Sequence, residues 1–103
     1  VLKILNTGII LIDEQKKILR FSSLIERDFL LQPHDVERSL STVGPRLGFV
    51  DLEEMLQNLA KGKAPVSATG THDGRKLSVE ARHVQFGPKG AEIAGAILVF
   101  RWL

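Results

Sequence analysis

The sequence predicts an α+β domain, a five-stranded antiparallel sheet with helices laid on it, and three observations carry that expectation. The stretch from Ala64 to Trp102 holds three strand-like runs in succession, separated by turn residues. The last run, Ile93-Ala94-Gly95-Ala96-Ile97-Leu98-Val99-Phe100, is apolar on both parities, so neither face can sit in water at low cost. Just upstream, Asp51 to Ala60 carries a single apolar stripe at helical spacing, as a helix covering a sheet should. A strand with two apolar faces needs two covers: one from within the chain, the other from a flanking helix or a second subunit.

Taken in chain order, Val1 to Leu5 has apolar residues at positions 1, 2, 4 and 5, and residues 1–7 are assigned to the end of an upstream helix or a linker. Thr7-Gly8 breaks that pattern. Ile9 to Ile12 is a second doubly apolar run, and the polar turn Asp13 to Lys16 joins it to Lys17–Phe21 as a hairpin. Ser22 or Ser23 can cap a helix over Leu24 to Leu31, with Glu26 placed as in a capping box and Pro33 as the stop. His34 to Val50 is rich in turn residues and is expected to hold only short helical turns.

The helix that follows starts at Asp51 as N-cap with Glu54 completing a box, and Gly62 is expected to end it in the left-handed conformation. Leu52, Met55, Leu56, Leu59 and Ala60 form its inward stripe, and Glu53, Gln57, Asn58 and Lys61 point out. Val66–His72 and Arg75–Phe86 are joined by Asp73-Gly74, two residues that tolerate the positive φ of a tight hairpin. In the second of these strands Leu77, Val79 and Ala81 share a parity that Val84 and Phe86 do not. A β-bulge near Arg82-His83 would bring them back to one side.

Composition bounds what such a domain can do. At 103 residues, 44% apolar and 25% charged, the chain is one domain, residues 1–103, with enough material for one core. It has no cysteine, which removes disulfides, thiolate metal sites and thiol nucleophiles and suits a reducing, cytoplasmic compartment. The net charge is +2, and the basic groups Lys16-Lys17-Arg20 and Lys61-Lys63 are small and interrupted, so no nucleic-acid partner is expected. No apolar run approaches the roughly 18 residues of a membrane span, so no direct membrane insertion is expected. Because the chain starts at Val1, it is taken as part of something longer.

The order of two strands, a helical middle and three antiparallel strands resembles a PAS domain over about residues 5–101. Gly8-Ile9-Ile10-Leu11-Ile12-Asp13 is similar to the family's opening strand, and Ile18-Leu19-Arg20-Phe21-Ser22 to its second strand and helix entry. Gly62-Lys63-Ala64-Pro65-Val66, Thr71-His72-Asp73-Gly74-Arg75 and Gly95-Ala96-Ile97-Leu98-Val99-Phe100 resemble the helix-to-strand junction, the hairpin and the last strand. Pro45-Arg46-Leu47 with Asp51-Leu52-Glu53-Glu54 is similar to PAS modules of histidine kinases and chemotaxis methyltransferases. Two departures stand out: Ser22-Ser23 where many members carry Asn, and Arg101-Trp102-Leu103 in place of an acidic exit motif.

The resemblance implies strand order 2-1-5-4-3, helices on one face with a small-molecule pocket beneath them, and dimerisation through the other face. Phe29, Met55, Leu56, Leu59, Phe86 and Leu98 are the pocket candidates, and the same side chains could equally pack on one another as core. Ile9, Leu11, Ile97 and Val99 are the candidates for the dimer or helix-packing face. Without cysteine the chain cannot form a flavin photoadduct or a thiol-linked chromophore, and Asp51 to Lys61 offers no His for haem; the cofactor stays unassigned, with non-covalent flavin open. His72 and His83 are the pair that could meet, across the second hairpin, but two imidazoles without a third ligand make a poor metal site.

No catalytic residue is assigned. Asp13-Glu14, Glu53-Glu54 and Ser22-Ser23 all have turn, helix-surface or cap roles, and Glu80 and Arg82 share an outer face where they can pair. What the resemblance implies is a sensory signalling module, and with no catalytic residue assigned it is expected not to be an enzyme. It would form a homodimer and pass a signal to an attached or partner output domain. The alternatives are a small-molecule sensor with an apolar pocket and a small α+β isomerase, which would need an inward acid or base.

Overall fold

The computed structural model describes residues 6–62, 64–89 and 93–103, apart from the side chains of Phe86 and Ile93. Of residues 1–7, expected as the end of an upstream helix or a linker, 1–5 lie outside this set and Thr7 already belongs to the first strand. Strand β1 (Thr7–Asp13) turns at Lys16, whose φ of 64° is left-handed, into β2 (Ile18–Phe21). Helix α1 (Ser23–Phe29) follows, then a 3₁₀ turn (Pro33–Asp35), the short α2 (Leu40–Val43) and α3 (Leu52–Gly62). The chain closes with β3 (Val66–His72), β4 (Arg75–Phe86) and β5 (Ile93–Trp102). All strand pairs are antiparallel, and the sheet runs β2-β1-β5-β4-β3, so the two doubly apolar segments are mid-sheet neighbours as expected.

Alternation sorts the sheet into two faces. Ile10, Ile12, Leu77, Val79, Ala81, Ala96, Leu98, Phe100 and Trp102 point inward and are buried against the helices. Helix α1 lies on β1, and α3 lies on β3 and β4. From α3 the inward residues are Leu52, Met55, Leu56 and Leu59, each worth about 1.5–3 kcal/mol of transfer free energy before entropy is counted. Asp51 caps this helix by accepting the Glu53 N–H at 3.0 Å, and Lys16 ties the β1–β2 turn to it through Glu53, also at 3.0 Å.

Several local expectations are corrected. Ala60 is exposed, and Gly62 is the last helical residue, without the left-handed φ expected of it. Ser22 precedes α1, but its hydroxyl makes no cap; it accepts the Ile9 N–H at 3.0 Å instead, because β1 runs within reach. Helix α1 ends at Leu30 with φ 62°, before Pro33, which opens the 3₁₀ turn.

No bulge occurs at Arg82-His83. The β4–β5 register is unbroken from Leu77↔Trp102 to Phe86↔Ile93, so Val84 shares the outer face with Glu80 and Arg82. The irregularity sits instead between β1 and β2, where Leu11↔Arg20 is followed by Ile12↔Ile18; the extra residue, Leu19, lets both Ile12 and Ile18 reach the core. The segment after the 3₁₀ turn then covers the β2 edge, with Ile18 N–H bonded to the Arg38 carbonyl at 2.9 Å and Leu40 N–H to that of Lys16 at 2.9 Å.

Candidate functional site

The pocket candidates do not converge on one cavity. Met55, Leu56, Leu59 and Leu98 are buried and belong to the common core. Leu56 and Leu59 also border an open cleft of about 250 Å³ shared with Ile12, Lys16 and His83, whereas Met55 borders a separate groove of about 300 Å³ beside Phe49 and Val66. Phe29 lies elsewhere, against Trp102. The Phe86 side chain is outside the described residues. A third groove, about 550 Å³, is formed by residues between Leu40 and Glu53, the stretch the sequence left irregular.

His72 and His83 do not meet. His72 flanks the Asp73-Gly74 turn, with its ring 5.3 Å from Phe29, while His83 pairs with Ala96 near the other end of β4 and holds the Leu59 carbonyl at 3.1 Å. Among the described residues no three His, Asp or Glu side chains cluster as metal ligands. The buried carboxylate of Asp35 accepts the Gln32 N–H at 2.9 Å and stands 3.6 Å from Arg38, a structural role inside the 3₁₀ turn. No helix among the described residues is long and apolar enough to cross a membrane.

Two sites remain, at opposite faces of the sheet. On the outer face Ile9 stands opposite Val99 and Leu11 opposite Ile97, four branched side chains in a block. Ile9 is 38% exposed and the other three are half-buried, so the described residues leave this apolar surface in contact with water. Its rim is polar: Thr7 and Arg101 at one end, Asp13 at the other, and along β4 the Arg82–Glu80 pair at 2.7 Å. Hydrogen bonding from Arg82 lowers the Glu80 carboxyl from its ordinary value, with the charges of Arg82 and Arg101 acting in the same direction against burial.

On the inner face, Trp102 closes the end of β5 in a cluster that sequence reasoning did not find. Its indole lies nearly parallel to Phe29, with centroids 5.8 Å apart and an angle of 4°, and Phe29 in turn stands 5.2 Å from Phe100. The Arg75 guanidinium sits 4.2 Å from the indole centroid, and His72 borders the same ring at 6.1 Å. The indole N–H donates to Asp28 Oδ2 at 2.8 Å, and Arg27 holds the same carboxylate through Nε at 2.8 Å.

The Arg27 hydrogen bond is the main reason that the Asp28 carboxyl titrates below its ordinary value; burial opposes the shift, while the Trp102 N–H and the charges of Arg27 and Arg75 add to it. A carboxyl depressed on folding contributes stability that is fully present above its unfolded pKa and is lost as pH falls through its folded one. Asp28→Asn cannot ionise and lacks this contribution at every pH. The gap in urea midpoint between parent and Asp28→Asn is therefore expected to shrink from about pH 5 to about pH 2, and a gap constant over that range would contradict the ion pair.

Residues 1–101 match a family model described as PAS domain. Among solved structures, the chain is similar to the PAS domain of histidine kinase ThkA, at 21% identity and a TM-score of 0.69, covering 92% of this chain and 97% of that one. It is also similar to a C-terminal domain from Streptococcus mutans, at 15% identity and TM-score 0.66, covering 98% of this chain and 78% of that one. The PAS domain of Bordetella pertussis BvgS aligns at 18% identity and TM-score 0.58, over 95% of this chain and 77% of that one. No curated protein matches the chain. At these identities the structural likeness speaks for the fold.

Proposed function

Because this chain belongs to the PAS domain family, we propose that it is a sensory signalling module that pairs with a second copy through its outer sheet face and biases an attached or partner output domain. The block of Ile9, Leu11, Ile97 and Val99 carries this reading. It is apolar, central, bordered by charges, and faces away from every described helix, which is the anatomy of an interface core with a polar rim. A self-complementary patch on a single chain is closed most simply by a two-fold pair. We place the domain in a cytoplasmic signalling protein, acting by association and conformational bias and not by catalysis. The ligand-sensor reading has less support, because Met55, Leu56, Leu59 and Leu98 fill core and Phe29 is committed to Trp102.

Sedimentation of the parent domain is expected to show a monomer–dimer equilibrium between micromolar and millimolar concentration. Ile97→Glu should weaken it at least about tenfold, or about 1.4 kcal/mol, since the new carboxylate would enter the middle of the patch. Arg82 stands opposite Ile97 in the β4–β5 register and can pair with that carboxylate, so the monomer should keep its far-UV circular dichroism. A parent that remains monomeric throughout would defeat the proposal.

A further inference from the structure

The Trp102 cluster joins more of the chain than packing alone requires. Through its ring, Trp102 holds the last two residues of α1, Asp28 by hydrogen bond at 2.8 Å and Phe29 by stacking, and it carries Arg75 from the start of β4. Through its backbone, its carbonyl accepts the Asn6 Nδ2 amide at 3.2 Å, just ahead of β1, and the next N–H, that of Leu103, donates to the Lys76 carbonyl at 3.0 Å. The end of α1, through the ring, and the segment entering β1, through the backbone carbonyl, thus meet on one residue at the exit of β5.

We propose that Trp102 is a latch: the position of α1, read by Asp28 through the indole N–H, sets the position of the segments entering β1 and leaving β5. The chemistry of the contacts distinguishes this residue from its neighbours on the strand. Leu98 and Phe100 are held by packing, which is indifferent to small rotations. Trp102 is held by a directional charge-assisted hydrogen bond and a cation over its ring, which are made in one ring orientation and broken in another. Such a contact set has two discrete arrangements, engaged and released, and both α1 and the chain ends bias the choice between them. Trp102 is a positioning residue here. What the latch is used for rests on the signalling reading; whether it exists does not.

The test is NMR of the parent, Asp28→Ala and Asp28→Asn domains, following hydrogen exchange and chemical shifts. In Asp28→Ala the Trp102 indole N–H should exchange at least tenfold faster. The Leu103 amide should also exchange faster and the Asn6 side-chain amide resonances should move, although the hydrogen bonds of both run to backbone carbonyls, of Lys76 and Trp102, and not to Asp28. Mid-sheet amides of Val79 and Leu98 should accelerate only by the factor that the loss of global stability sets, read from the urea midpoint. Asp28→Asn retains an acceptor oxygen and should give the same pattern at smaller amplitude, and it serves as the test by itself if the alanine variant does not fold. Unchanged Leu103 and Asn6 signals would overturn the latch, as would a uniform rise at all amides, which is plain loss of stability. A domain that fails to dimerise in sedimentation would sink the signalling reading and leave this exchange pattern untouched.

Discussion

Truncating Trp102 to alanine is expected to cost about 3–5 kcal/mol of folding stability, the range for removing a buried Trp or Phe side chain. Trp102 is 5% exposed, and its removal would strip Phe29 of its stacking partner and leave Arg75 without the ring beneath it. A domain of this size has roughly 5–15 kcal/mol in total, and each kcal/mol moves the melting temperature by about 4–8 °C. The variant should therefore melt at least about 12 °C lower. Trp102→Phe separates the terms: it keeps a ring for Phe29 but loses the N–H donated to Asp28, and should cost about 2 kcal/mol. Since Trp102 is the chain's single tryptophan, both variants are followed by circular dichroism in urea. A Trp102→Ala midpoint within about 1 kcal/mol of the parent would show that the cluster holds nothing together.

That cluster also marks where sequence reading stops. The strands were legible because local chemistry decides them: Asp73 and Gly74 adopt φ of 51° and 76° at the tip of the hairpin, and the two doubly apolar runs lie side by side in mid-sheet. Helix α3 was legible because four of its five stripe residues are buried. The false bulge at Arg82-His83 came from the same source as the success. Parity locates a residue only where an apolar side chain must be fully buried, and Val84 stays half-buried on the outer face opposite Gly95, beside Arg82. The real irregularity, at Leu19, falls in a four-residue strand too short to show a pattern. The Ser22 hydroxyl is a helix cap by local sequence, and only the folded path of β1 gives it to the Ile9 N–H instead. Asp28 and Trp102 are 74 residues apart, and no spacing rule connects them.

A second contact of this hidden kind governs the groove between Leu40 and Glu53. Gly70 lies in β3 opposite Leu77, and the Phe49 ring packs directly over its Cα: a Cβ added there would come within 2.6 Å of Phe49 Cβ and closer still to the ring. The obstructing atoms are the root of the side chain, so no rotation of a flexible end relieves the clash. Gly70→Ala should therefore push Phe49 off the sheet at a cost of about 1–3 kcal/mol, from which about 0.5–1 kcal/mol is recovered because alanine orders a strand at lower entropic cost than glycine. Phe49→Ala should be destabilising alone, yet in the double variant Gly70→Ala should become neutral or stabilising, since its obstacle is gone. This non-additivity, at least about 0.5 kcal/mol in a urea double-mutant cycle, is the signature of direct contact, and strict additivity would place Phe49 elsewhere. Because Phe49 anchors the loop that forms the 550 Å³ groove, Gly70→Ala should also raise amide exchange over residues 46–50 while sparing the sheet centre, where Ile10 and Leu98 remain paired.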